Sequence, residues 1–360
     1  MNQEAYLKLV SGESVGPGAA FLRCILGIAS RIYGIIINIR NFLYSRRLLK
    51  VHRADAAVIS IGNITTGGTG KTPLVIWLCR RIISDSKFQI SSSQCAILTR
   101  GYKADTNYRD EPAVLAESCP GVQVVVNPNR VAGAAEAVGR FGAKVLIMDD
   151  GFQHRRLGRD VDILVIDGTV PFGYGKLLPA GLLREPICSL NRADAVVITR
   201  CDQVNEVELT QLEDRLKRIN PEMVIARSIH APICAKSIED REINLEELEG
   251  KKIFAFCGIG NPNAFLNAVK GLGAELLGSK VFDDHYHYTN DSLTDIYEQA
   301  RSLDAELILM TQKDWVSISS SAILNVGEGV DFAYLAIELR FISGEDKITE
   351  LIKNALAGRI

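Results

Sequence analysis

The chain has 360 residues, 47% of them hydrophobic, with a net charge of −2 and no repeat or long biased run. That length accommodates two domains with cores of their own, and the composition excludes a disordered or fibrous chain. The near-neutral balance gives no reason to expect a polyanion partner, so nucleic acid is not expected.

Taken in chain order, the charge is uneven at once. No acidic residue lies between Ser14 and Ala54, whereas Arg23, Arg31, Arg40, Arg46, Arg47, Lys50 and Arg53 are positive. The same segment carries "FLRCILGIASRIYGIIINIRNFLY", apolar but interrupted by arginines. A spanning helix needs about 20 mostly uncharged residues. The expectation is therefore an interfacial helix lying on or dipping into a bilayer whose anionic headgroups attract the arginines. The alternative is a helix packed on the protein's own core with its arginines reaching outward. No small-residue cleavage pattern follows, so a removable signal is not expected.

Short Val- and Ile-rich runs then recur with helical stretches between them: residues 56–61, 95–99, 122–126, 144–150, 162–167 and 194–199. Near-continuous apolar strands of this kind are buried on both faces, which predicts a mostly parallel sheet flanked by helices, an α/β fold. A second set lies at 252–262, 274–282, 305–314 and 331–339, after a polar helix-like stretch at 203–223. The expected division is a basic apolar segment over 1–54 belonging to the first domain, a nucleotide-binding domain over 55–215 and a smaller α/β domain over 225–360. The eight cysteines contain no C-x-x-C pair and sit mostly in apolar stretches, so they read as reduced core residues.

"TTGGTGKT", Thr65, Thr66, Gly67, Gly68, Thr69, Gly70, Lys71 and Thr72, follows the first strand and precedes an apolar helix. This is the context of a P-loop: glycines let backbone N–H groups close on phosphate oxygens, Lys71 reaches the β/γ phosphates, and Thr72 offers a hydroxyl to Mg²⁺. Pro73 suits the first helical turn, whose dipole favours the anion. Thr65 departs from the usual pattern, which begins with Gly. "KVLIMDDG" delivers Asp149 and Asp150 from a strand's carboxyl end, where one of them can hold Mg²⁺. The residues alone therefore predict a Mg-ATP site and leave the acceptor open.

Nine blocks in order, among them "GNITTGGTGKTP", "RDEP" (109–112), "DDGFQHRRLGRDVDILVIDG" (149–168), "GKLLPAGLLREP" (175–186), "GIGNP" (258–262), "FDDHYHYT" (282–289) and "TQKDWV" (311–316), resemble the tetraacyldisaccharide 4′-kinase family along nearly the whole chain. The resemblance implies a P-loop kinase domain with a smaller, Rossmann-like α/β domain hinged to it. It also implies ATP-dependent phosphorylation of an acylated glucosamine disaccharide phosphate at the cytoplasmic face of the bacterial inner membrane. It implies an Asp paired with a His as the base, matching Asp110 and His285, with His287 a competitor for the second role. Arg100, Arg130, Arg184 and His154 lie in matching blocks as candidates for the acceptor side, and guanidinium forks suit its phosphate. The competing reading is a P-loop ligase or kinase acting on a soluble metabolite, which "GGTGKT" and "DDG" would also fit.

Overall fold

The structure is a computed structural model describing residues 3–101, 110–237, 241–284, 286–318 and 329–359, with the backbone alone at 3, 4, 110 and 111. The helices are α1 (Gln3–Ser11), α2 (Pro17–Ser45), α3 (Lys71–Ser84), α4 (Asp110–Ser118), α5 (Arg130–Phe141), α6 (Glu206–Ile219), α7 (Pro262–Gly271), α8 (Asn290–Ser302), α9 (Gln312–Ser317) and α10 (Glu345–Ala357). The chain forms two compact units: Met1–Gly101, Leu115–Ile229 and Leu339–Ile360 make the first, Tyr102–Val114 and His230–Glu338 the second.

The first unit is built on β1 (Ala57–Gly62), β2 (Cys95–Thr99), β3 (Gln123–Val126), β4 (Val145–Asp149), β5 (Val161–Asp167), β6 (Ala195–Thr199) and the start of β7 (Val224–Ser237). They pair in parallel in the order β7-β6-β5-β1-β4-β2-β3, with Ile59 opposite both Ile147 and Val161. Because β1 sits between β4 and β5, the chain leaves neighbouring strands in different directions at their carboxyl ends, which opens a crevice there. Both faces are covered, as their nearly continuous apolar runs require. On one side Leu74, Leu78 and Ile82 of α3 and Ile348, Ile352 and Leu356 of α10 pack on Ile59, Ile147 and Ile163. On the other, Leu209, Leu212 and Leu216 of α6 pack on Leu164 and Val196. Each such side chain contributes about 1.5–3 kcal/mol by leaving water. The polar helix α6 starts on Asn205, whose side chain accepts the Glu208 N–H, with acids in its first turn and Lys217 and Arg218 in its last.

The second unit repeats the principle with β9 (Lys252–Cys257), β10 (Glu275–Val281), β11 (Leu307–Thr311) and β12 (Asp331–Ser343), parallel in the order β10-β9-β11-β12. β8 (Glu242–Ile243) pairs antiparallel with the end of β7. Phe254, Phe256, Ile296 and Met310 fill one side of this sheet and Ile253, Val269, Leu309 and Leu335 the other.

The structure differs from the sequence reading at the division of the chain. β7, 14 residues long, runs through the expected start of the smaller domain at 225, since Arg227, His230 and Pro232 interrupt its apolar pattern without ending the strand. The last segment, Leu339–Ile360, belongs to the first unit, since α10 supplies three apolar residues to the core beneath β1.

Helix α2 packs one face on the protein, as the second reading of the N-terminal segment expects, and leaves the other exposed. A stripe of Ser30, Tyr33, Gly34, Ile37, Arg40 and Asn41 at helical spacing docks on the first unit: the Ser30 hydroxyl donates to Leu177 O at 2.8 Å, Tyr33 OH to Arg184 O at 2.8 Å and Asn41 Nδ2 to Glu185 Oε2 at 2.8 Å. The opposite stripe, Phe21, Ile25, Ile28, Ile32, Ile35, Ile36, Ile39 and Phe42, is between 47% and 70% exposed. By length and composition the helix could cross a membrane, with a mean hydropathy of 1.8. Two of its arginines are tied to the protein, Arg23 to Ser14 O and Arg40 to Glu185.

Candidate active site

The loop after β1 holds the shape a phosphate cradle needs. Gly67 and Gly70 take φ of 104° and 92°, a region an L side chain resists, and Gly70 caps α3. Thr65 does not need that freedom: it is 6% exposed and bridges Leu183 in extended conformation, which explains why Gly is dispensable at the first position. The Thr66 N–H donates to Leu182 O at 2.8 Å, so the 177–186 loop runs alongside the cradle.

Residues given no role in the sequence analysis above hold this loop from behind. The Thr199 hydroxyl, at the end of β6, donates to Thr69 O at 2.9 Å, and Arg200 Nη2 donates to Gly68 O at 2.7 Å. Arg200 is itself buried and ion-paired with Asp167 at the end of β5. In a trans peptide C=O and N–H point in opposite directions, so fixing the Thr69 carbonyl on β6 aims the Gly70 N–H away from it. Asn63 braces the other side: its Nδ2 donates to Thr69 Oγ1 at 2.9 Å, and its main-chain oxygen accepts from Gln153 Nε2 at 2.8 Å. The end of β6, Thr199 with Arg200 after it, therefore has a structural role at the nucleotide loop that composition alone did not reveal.

The acidic pair splits into a buried and an open member. Asp149 ends β4 at 3% exposure; Asp150 follows with φ 51°, turning its carboxylate back towards the loop. Gly151 closes that turn, donating its N–H to Ile61 O at 2.9 Å; a Cβ there would lie 2.5 Å from Ser60 Oγ. Asp150 Oδ1 meets Lys71 Nζ at 3.7 Å and Arg184 Nη1 at 2.8 Å. Burial pushes the Asp150 carboxyl up, but the charges of Lys71, Arg184 and Arg130 together outweigh it and hold the pKa below the ordinary carboxylate value.

The acceptor-side candidates fall in different surroundings. Arg184 stands in the loop beside the cradle, and Arg100 is exposed just past the end of β2. Arg130 is 4% exposed, with Nη1 on Asn127 O at 2.8 Å and Nη2 on Asp149 O at 3.0 Å, so it braces the strand end that carries the acidic pair. His154 is half-buried, its Nε2 makes no hydrogen bond among the described residues, and burial and then the charges of Arg130 and Arg159 bring its pKa down to about 4. It is a neutral imidazole at physiological pH. Thr72 lies in the first turn of α3. A hydroxyl and one or two carboxylates are the all-oxygen donor set that suits Mg²⁺, which keeps its other positions for water and phosphate.

In the second unit three of the sequence blocks meet at one buried carboxylate. Asp314, 2% exposed, accepts the Gly258 N–H and the Tyr288 hydroxyl, both at 2.9 Å, and the Thr311 hydroxyl. Lys313 Nζ lies 2.7 Å from Asp284 Oδ1. Phe282, Tyr286 and Tyr288 pack ring against ring, Tyr288 edge-on to the other two, and His287 is exposed. Lys313 and Asp314 thus fasten the 282–289 loop. His285 lies outside the described residues, as does the side chain of Asp110, whose backbone starts α4.

The sequence profile of the family "Tetraacyldisaccharide-1-P 4'-kinase" matches residues 22–357. This chain belongs to the tetraacyldisaccharide-1-P 4′-kinase family. Relatives in that family include the tetraacyldisaccharide 4′-kinases of Syntrophus aciditrophicus, 36% identical over 92% of this chain and 93% of the relative, and of Halothermothrix orenii, 35% identical over 88% of each. Among solved structures, LpxK from Aquifex aeolicus in complex with ATP superposes with a TM-score of 0.69 at 28% identity, covering 93% of this chain and 99% of that one. Membership in the 4′-kinase family accounts for the order of the nine blocks.

Proposed function

We propose that this protein transfers the γ-phosphoryl group of ATP to the 4′-hydroxyl of a tetraacylated glucosamine disaccharide 1-phosphate, a step of lipid A synthesis. The family match over residues 22–357, centred on a formed phosphate cradle, carries this reading. Phosphoryl transfer asks a protein mainly for positioning and charge stabilisation. Backbone N–H groups of Gly67, Gly68 and Gly70 and the side chain of Lys71 hold the phosphate chain; Asp150 keeps Lys71 and Arg184 directed at the crevice while their charges keep it ionised. Mg²⁺, held by Thr72 with Asp149 or Asp150, supplies charge neutralisation on the transferred group.

On the acceptor side, Arg184 and Arg100 offer guanidinium groups and His154 a neutral imidazole that accepts or donates one hydrogen bond. Asp110, oriented by His285, takes the proton of the attacking hydroxyl, a role resting on the family resemblance. The exposed stripe of α2 lies in the cytoplasmic leaflet of the inner membrane, where a four-chain acceptor remains. The test supplies γ-labelled ATP with the acyl disaccharide phosphate in detergent. A labelled lipid is expected; label in a water-soluble acceptor alone overturns the assignment.

A further inference from the structure

A cavity of about 280 Å³ opens in the first unit, its charged lining being Arg53, Arg155, Arg159, Arg192 and Arg359 with Asp160 and Asp162. Its walls precede β1 and β5, whereas the nucleotide loop follows β1, so the two sites occupy opposite ends of that strand. Three of the five arginines are matched: Arg159 by Asp162 at 3.2 Å, Arg359 by Asp160 at 3.0 Å and Arg192 by the buried Glu185 at 2.9 Å. Two are not. Arg155 donates to the main-chain oxygen of Asn41 at 3.0 Å and lies over the Tyr44 ring, and Arg53 has no hydrogen bond or ion pair among the described residues. Burial and then the charges of Arg192 and Arg159 lower the Arg155 pKa, the mark of guanidinium groups crowded without a full set of counter-charges.

Crowded guanidinium forks around a concave polar space fit a phosphate, which they bind in bidentate fashion and whose charge offsets their repulsion. The position indicates where that phosphate comes from. Arg155 is bonded to the last turns of α2, the helix whose outward stripe is apolar. Where that stripe lies in a bilayer, the cavity at its end lies at headgroup depth.

We propose that this cavity is a second anion site, taking the phosphate of a membrane-held lipid. It rests on the bilayer placement of α2 given above. Two lipids carry such a group, an acidic phospholipid and the acceptor through its own 1-phosphate, and they are separable by experiment.

The full chain is floated with phosphatidylcholine vesicles, with and without about 30 mol% phosphatidylglycerol, which gives an anionic surface of physiological sign. Arg53→Gln/Arg155→Gln is compared with Arg46→Gln/Arg47→Gln, which removes equal charge from the end of α2 outside the cavity. Surface charge alone accounts for about 1 kcal/mol per basic residue, about tenfold to thirtyfold for the control, and the cavity double variant is expected to lose at least several-fold more in affinity for the acidic vesicles. It should retain its binding to neutral ones, and the control should lose markedly less. A cavity variant that loses no more than the control overturns the site. Arg53→Gln alone removes no bond and should lose several-fold, which covers a folding defect at Arg155. Wild type that fails to float with neutral vesicles refutes the placement of α2 instead. In phospholipid-free micelles, an unchanged acceptor KM in the cavity variant assigns the site to phospholipid. A raised acceptor KM with ATP KM unmoved assigns it to the acceptor's phosphate.

Discussion

At the scale of single residues, the site divides into groups that face ligand and groups that hold those groups in place. Thr199 is of the second kind. Thr199→Val keeps the shape and strand preference of a fully buried residue and removes the hydroxyl that fixes the Thr69 carbonyl. Losing one such bond costs about 1 kcal/mol, so ATP KM should rise about fivefold while acceptor KM stays constant, in steady-state kinetics varying each substrate. An unmoved ATP KM would remove Thr199 from the loop's support. Asp314→Asn should act on the other half of the reaction, because it weakens the clasp on the 282–289 loop; kcat is expected to fall at least several-fold with ATP KM preserved, and equal kcat would refute the clasp. The meeting of Lys71 with Asp150 was legible in the sequence because each sits in a short run at the carboxyl end of a strand. Thr199, Arg200 and Asn63 were not, since what they do depends on strand order: Thr199 reaches Thr69 across 130 positions of chain only because β6 lies on β5 and β5 on β1.

At the scale of elements, the nearly continuous apolar runs appeared as strands where expected, because burial on both faces admits few polar residues, here chiefly Ser60 and Asp162 inside the runs. β7 escaped because it alternates, with Arg227 ion-paired to Glu206 and Glu213 of α6. The charge in its pattern belongs to a contact that only the fold creates. Helix α2 shows the same limit in another form: its composition announced an apolar element, but which stripe docks and which faces out follows from Leu177, Arg184 and Glu185, well over a hundred residues further along. That division makes the outward stripe separable from stability. Ile32→Ser/Ile36→Ser changes residues that are 56% and 59% exposed, so the melting temperature should stay within about 2 °C of wild type. Flotation with neutral vesicles should weaken by at least tenfold, since each buried Ile contributes about 1.5–3 kcal/mol. Undiminished flotation would show that the stripe does not enter lipid.

At the scale of the whole molecule, charge burial around the site sets how stability answers to acid. An unfolded His154 takes up its proton near pH 6.5, whereas in the folded chain it does so only near pH 4. Across that window the unfolded state binds more protons, so His154 costs stability as pH falls from 6.5 towards 4. Asp150 and Glu185, both held below the ordinary carboxylate value by arginines and Lys71, add their loss only further down, as pH falls through their folded pKa values. Asp162 works the other way: burial pushes it from 3.8 up to about 6, so the stability it contributes is present at low pH and lost as pH rises through that range. Two opposite slopes therefore overlap between pH 4 and 6, and the total pH profile cannot isolate either. A difference can. His154→Gln removes one titration and leaves the arginines and carboxylates in place, so its urea midpoint should gain on that of wild type steadily from pH 6.5 down to about 4 and run parallel to it above pH 7. Parallel curves throughout would mean that His154 titrates normally, and that its burial among Arg130 and Arg159 does not set its charge.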